Sequence, residues 1–174
     1  LSEAFGEDGR LWQADLQDHN SAKVQKKDQE FHSWLQWHAD VQLKNAHDCA
    51  QSNGMGLGLY LDLAVGSRRN GAEAWSEKGS IAQGVSVGAP PDHLSPAGQN
   101  WDLAAYAPQK LAANDYVAFR NILASNMRHC GVLRIDHVLG LNRSFWIPDN
   151  GARGGYIYQN FEAMMAILLI EAER

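Results

Sequence analysis

The apolar patterning along the chain predicts an α/β fold with parallel strands. Three observations lead there. A helical apolar rhythm runs through residues 29–52, returns from about 114 to 129, and returns again from 160 to the end. Two short apolar runs, 56–63 and 131–138, lie between these helices. Each run ends in charge, Asp62 in the first and Arg134 with Asp136 in the second, and each precedes a long stretch rich in glycine. Helices alternating with strands imply parallel strands joined by crossovers. Charge at the carboxyl ends, beneath long loops, is the layout of a (β/α)8 barrel. A doubly wound sheet shares that property and is the alternative. The barrel typically takes about 250 residues, so a chain of 174 with two clear strands predicts an incomplete one.

Bulk properties narrow the function. The net charge of −5 excludes a basic nucleic-acid footprint, so no nucleic-acid partner is expected. The most apolar stretch, 163–170, is far short of the roughly 18 residues of a spanning helix, so no membrane partner is expected either. No signal-peptide pattern opens the chain, and Cys49 and Cys130 have no spacing that suggests a disulfide. These features predict a cytoplasmic location and two cysteines that act as small apolar core residues. The chain starts at Leu1 and stops at Arg174 inside a helical pattern, which predicts a piece of a longer protein.

Residues 1–28 are a poorly patterned lead-in, with turn chemistry at Gly6-Glu7-Asp8-Gly9 and a charged loop or helix start from 21 to 27. The helix over 29–52 places Phe31, Trp34, Leu35, His38, Val41, Ala46, Cys49 and Ala50 on its apolar side and stops at Asn53-Gly54. His32, His38 and His47 lack the i, i+4 spacing that would put two metal ligands on one face, so no metal site is expected. In the first strand Tyr60 and Asp62 share a face opposite Leu57, Leu59 and Leu61. Residues 64–113 show no long periodic element and read as a functional loop insertion. Asn114 or Asp115 caps the next helix. In the second strand Arg134 and Asp136 point one way, Leu133 and Ile135 the other. Residues 138–159 read as a second loop. Asn160 then caps a last helix that buries Phe161, Met164, Met165, Leu168 and Leu169.

An arginine beside an aspartate at the end of an apolar strand has two readings. It closes the strand as a structural ion pair, or it holds a carboxylate ionised in a cleft. These residues alone leave both open. Neither a glycine-rich dinucleotide fingerprint nor a Walker A motif follows either strand, so no nucleotide cofactor is expected.

Three ordered motifs decide more. Gly88-Ala89-Pro90-Pro91-Asp92, then Gly98-Gln99-Asn100-Trp101, then Arg134-Ile135-Asp136-His137, together with Leu61-Asp62-Leu63, resemble the 4-α-glucanotransferases (amylomaltases) of glycoside hydrolase family 77. The resemblance spans about residues 30–174. It implies an α-amylase-related barrel, a retaining transglycosylase with no cofactor, and an α-1,4-glucan or maltooligosaccharide as partner. It makes Asp136 the nucleophile and Arg134 the arginine that keeps it ionised. Asp62 falls in the donor sugar site, and Asp92, Gln99 and Trp101 in the substrate loop. His137 matches a substrate-binding histidine. Two positions depart from the pattern. Ala64 stands where the family often has proline, and Asp102 where it often has glycine, which puts the shape of the loop in question. The family's acid/base glutamate lies on a later strand, beyond this sequence, so the 174-residue piece alone is expected to be inactive. Trp101 without the family match reads as loop packing. A carbohydrate-binding module without catalysis is the alternative function. The edges of an incomplete barrel predict self-association.

Overall fold

The computed structural model describes residues 5–18 and 24–174. The expected charged segment 21–27 therefore lies partly outside the described residues. Gly9–Leu11 and Ala14–Gln17 form short helical turns, the first capped by the Asp8 side chain. The elements that follow are α1 (Lys26–Ser52), β1 (Tyr60–Leu63), α2 (Ala72–Ser76), β2 (Val85–Ala89), β3 (Gln99–Leu103), α3 (Pro108–Ala113), α4 (Val117–Met127), β4 (Val132–Ile135), β5 (Arg143–Pro148), β6 (Gly155–Tyr158) and α5 (Phe161–Ala172). A 3-10 turn, Val138–Leu141, separates β4 from β5. The fold is α/β, with one two-stranded sheet, β1-β4, and one four-stranded sheet in the order β3-β2-β5-β6.

The chain divides into two compact units. One gathers the residues up to Asp62 with Asn126–Arg134, the other Leu63–Ser125 with Ile135–Arg174. In the first, the Gly131 and Val132 N–H groups donate to the Leu59 carbonyl at 2.9 and 3.4 Å. In the second, the Asp136 N–H donates to the Leu63 carbonyl at 3.0 Å. Donor and acceptor advance in the same direction, so β1 and β4 run parallel, as expected. Gly131 is required there, because a Cβ would sit 1.7 Å from the Leu57 oxygen.

Both strands are shorter and more open than expected. β1 begins at Tyr60 rather than 56, because Gly58 takes a left-handed φ of +67° and closes a turn onto Met55. Its burial alternates, with Tyr60 and Asp62 exposed and Leu63 buried. Val132, Leu133 and Ile135 are only half-buried. α1 also departs from its expected burial. None of its residues is buried, and Phe31, Trp34, Leu35 and Trp37 are 53, 53, 39 and 57 % exposed. Cys49 is exposed, which corrects its placement in a core, and both cysteines are free thiols.

The second unit holds the larger correction. The expected loops 64–113 and 138–159 contain β2, β3, β5 and β6, an antiparallel sheet. Its strands have four to six residues and carry glycines, prolines and polar side chains, so no period-2 pattern stands out. Gly88 lets β2 approach β3, since a Cβ there would lie 2.0 Å from the Gln99 oxygen. Ala74, Ile81 and Ala104 pack with Tyr106, and Leu111, Ala118, Phe119, Leu123, Leu141 and Met164 are buried. Asn114 ends α3 instead of starting α4. Asn160 caps α5 as expected, accepting from the Ala163 N–H at 3.2 Å. On α5 only Met164 and Glu171 are buried, while Phe161 and Leu169 are 46 and 58 % exposed.

Candidate functional site

In the first unit, β1 and β4 place Asp62 and Arg134 together. Arg134 Nη1 donates to both Asp62 oxygens, at 2.8 and 2.7 Å. The two side chains are 55 and 45 % exposed. The contact between these two residues does not follow from the motif, which ties Arg134 to Asp136. The signal existed: each residue has the strand parity that faces it away from the leucines, on strands that the alternation makes neighbours. The histidines of this unit have local work. His47 Nδ1 accepts from the Leu59 N–H at 3.2 Å, and His129 Nε2 meets Asp40 Oδ1 at 2.9 Å. With Arg128 at 3.2 Å from the same oxygen, these groups hold the Asp40 carboxyl below its usual range, the His129 hydrogen bond contributing most. Among the described residues no group of three His, Cys, Asp or Glu side chains could hold a metal.

In the second unit, Asp136 closes β4 and lines a cavity of about 90 Å³. His137, Glu73, Tyr106, Ser144 and Gln159 share its wall with apolar groups that include Leu63, Ile135 and Met164. Tyr106 donates its hydroxyl to Glu73 Oε1 at 2.6 Å. Burial, then the Glu73 charge, pushes the Tyr106 phenol far above its usual range, so it stays protonated as the donor. Gln159 donates to the Tyr106 carbonyl at 2.9 Å, and its buried Oε1 has no protein partner. Glu73, Tyr106 and Gln159 were missed because they lie far apart in sequence and belong to no motif.

His137 has a left-handed φ of +49°, a conformation that non-glycine residues adopt at a cost of about 1–3 kcal/mol. Its ring stands edge-on to Trp101, with centroids 5.2 Å apart and planes at 82°. Trp101 Nε1 in turn donates to Gln99 Oε1 at 3.0 Å. The structure thus joins Gln99, Trp101 and His137 into one contact chain ending next to Asp136. Asp92 is not part of it. Its Oδ1 accepts from the Leu94 and Ser95 N–H groups at 2.8 and 2.6 Å, an Asx turn within its own exposed loop. Among the described residues no helix is long and apolar enough to cross a membrane.

Comparison with known proteins extends these observations. The family model described as 4-alpha-glucanotransferase, of glycoside hydrolase family 77, matches residues 1–174. A Mycobacterium bovis 4-alpha-glucanotransferase is 40 % identical over 182 residues, covering 100 % of this chain and 25 % of its own. The Haemophilus influenzae 4-alpha-glucanotransferase is 46 % identical over 147 residues, covering 83 % of this chain and 21 % of its own. The chain therefore spans about a quarter of the length of these relatives. Amylomaltase from Corynebacterium glutamicum superposes with a TM-score of 0.81 at 39 % identity, over 90 % of this chain and 24 % of that one. An amylomaltase from Streptococcus agalactiae, solved with acarbose, shares the fold with a TM-score of 0.84 at 18 % identity, over 99 % of this chain and 38 % of that one. The full-length match to the family model and the shared fold lead to one conclusion: the chain belongs to the 4-alpha-glucanotransferase family, glycoside hydrolase family 77.

Proposed function

We propose that this chain is part of a single catalytic (β/α)8 barrel domain of the α-amylase-related type, and that it supplies the nucleophile half of a retaining α-1,4-glucan transfer site. The lead-in is 1–28, and 64–113 is the insertion that bears the substrate loop. The observation that supports this best is local. Asp136 closes β4 in the wall of the cavity, and Trp101 reaches His137 beside it.

In a retaining mechanism one carboxylate attacks the anomeric carbon, and a second group protonates the departing glycosidic oxygen. Asp136 is the attacking group. The bond from the anomeric carbon to the leaving oxygen breaks as the Asp136 ester forms. The second group, deprotonated by the first step, then takes the proton of a 4-hydroxyl of another maltooligosaccharide as that oxygen displaces Asp136, so a glucan segment is transferred; water in its place gives hydrolysis. Arg134 supplies positive charge at the strand end and orients Asp62, which binds hydroxyls of the donor sugar. Trp101 stacks on a glucose ring, and Gln99, His137 and Asp92 bind hydroxyls, the last through Oδ2 because Oδ1 holds its turn. The second carboxylate is contributed by chain outside residues 1–174, so these residues alone do not turn over maltotriose. Apart from the glucan, the proposed partner is a second copy of the 174-residue piece, met through its exposed apolar side chains.

The test uses the full-length enzyme that carries this segment. Wild type converts maltotriose into a ladder of longer and shorter maltooligosaccharides, seen by chromatography. Asp136→Asn lowers that rate on the order of a thousandfold or more. A fluorinated glycosyl donor traps a sugar ester on the peptide containing Asp136. Unchanged transfer by Asp136→Asn, or a label on another peptide, removes Asp136 as nucleophile. Glucan binding by a full-length protein that shows no transfer favours the carbohydrate-binding module.

A further inference from the structure

β3 is interrupted where Trp101 sits. Its register against β2 steps from Val87↔Leu103 to Gly88↔Asn100, so Trp101 and Asp102 are both extra residues in the ladder. Such a bulge bends a strand and re-aims a side chain. Asp102 makes the bend by taking a left-handed φ of +52°. That conformation explains why glycine suits this position and why an aspartate there needs support.

Two devices hold the bulge. From inside the sheet, Asn100 Oδ1 accepts from the Asp102 N–H at 2.9 Å and from Ser86 Oγ at 2.7 Å, and Ser86 is fully buried. From outside, Arg69 spans two loops. Its Nη1 and Nη2 donate to the two Asp149 oxygens at 2.7 and 2.6 Å, a bidentate pair. Its Nη1 also lies 3.5 Å from Asp102 Oδ1, and its N–H points to the Asp102 carbonyl at 3.5 Å. The Arg69 side chain is only 12 % exposed. Asp149 is anchored in turn, because its N–H donates to the Gly84 carbonyl at 2.9 Å, just before β2. The neighbouring backbone is fixed as well: Arg68 bridges to Leu103, and the Ala104 N–H donates to the Ser67 carbonyl at 2.9 Å.

We propose that Arg69 is a positioning residue for glucan binding. Clamped on Asp149, it fixes the Asp102 bulge and so keeps the Trp101 ring presented beside His137. The inference rests on the reading of Trp101 as a sugar-stacking residue. Arg69 itself touches no reacting atom; it acts through the bulge on how well a glucose ring is held. Its loss therefore weakens substrate binding more than it slows the chemical step.

The experiment measures transfer kinetics of the full-length enzyme with maltotriose. Arg69→Met raises KM about fivefold to tenfold while kcat changes by less than about twofold. Arg69→Lys, which keeps the charge but loses the bidentate fork, recovers part of the KM. Asp102→Asn, at an exposed side chain with little risk to folding, raises KM about twofold. In a Trp101→Ala background, Arg69→Met adds no further rise, because the tryptophan it positions is gone. An equal rise in both backgrounds overturns the inference, and so does an unchanged KM in Arg69→Met when Trp101→Ala raises it. If Trp101→Ala leaves KM unchanged, the stacking role of Trp101 fails first. Should Arg69→Met not fold, Arg69→Lys and Asp102→Asn in both backgrounds decide the matter by the same criteria.

Discussion

Two arginines in this chain each grip carboxylates contributed by distant segments, and their surroundings differ. Arg134 holds Asp62 in the open, with side chains 45 and 55 % exposed. Arg69 holds Asp149 and Asp102 with its own side chain 12 % exposed. Water screens the first pair, so it adds about 0–1 kcal/mol to stability. Little folding reason remains for placing two opposite charges at the ends of neighbouring strands, which favours a reason in chemistry. The second grip is bidentate and its arginine is shielded, while Asp149 and Asp102 are 44 and 69 % exposed; solvent screening on that side keeps its hydrogen bonds to charged groups near the low end, about 1.5 kcal/mol each. It serves the fold first, and in the proposal above the substrate only through the fold. The contrast teaches that an arginine–carboxylate pair has to be judged by exposure and by what it holds in place, not by distance alone.

Substitutions can break or sharpen that contrast. Arg134→Met in the full-length enzyme is expected to lower transfer on the order of a hundredfold while shifting unfolding free energy by less than about 1 kcal/mol. A loss of activity matched by a large drop in melting temperature would make Arg134 structural after all. Arg69→Met should do the reverse, costing about 1–3 kcal/mol in urea unfolding. A cost as small as that of Arg134→Met would erase the distinction between the two grips. Asp102→Gly relieves a left-handed non-glycine backbone and loses one long contact to Arg69. The expected net gain is about 0.5 kcal/mol, read from the unfolding midpoint.

The smallest effect concerns pH. The Asp40 carboxyl is held below the ordinary carboxylate range in the folded protein, first through the His129 hydrogen bond. A depressed carboxylate contributes stability above its unfolded pKa and loses it as pH falls through the folded one. Wild type should therefore lose more of its unfolding free energy between pH 5 and still lower pH than Asp40→Asn does. Parallel curves for the two proteins would show that this surface cluster is without consequence.

How far the sequence could be read depended on the range of the interactions. The helical rhythms of α1, α4 and α5 and the cap at Asn160 are local, and they were visible because apolar spacing and capping act within a few residues. Arg134, Asp136 and Trp101 stood out because a family motif ties them to one another. Their partners did not. Asp62 against Arg134, and Arg69 against Asp149, are separated by 72 and 80 residues, and no local signal announces such pairs. The antiparallel sheet reads as loop in the sequence for a related reason. Its strands are short, its faces mix Ser86, Asn100 and Gly88 with aromatics, and each is stabilised by its neighbour rather than by propensity.

By itself, then, the sequence determined the α/β alternation, the parallel pair β1-β4 and the motif residues at the strand ends, since these follow from periodicity and from side-chain parity along a strand. Tertiary structure alone decided which charges pair, which apolar faces stay exposed, and the shape of the loop after Gly98. Asp102 shows why. Its identity raised a question about that loop, and the answer, a left-handed bulge braced by Arg69 and Asn100, depends on groups brought together only when the chain folds.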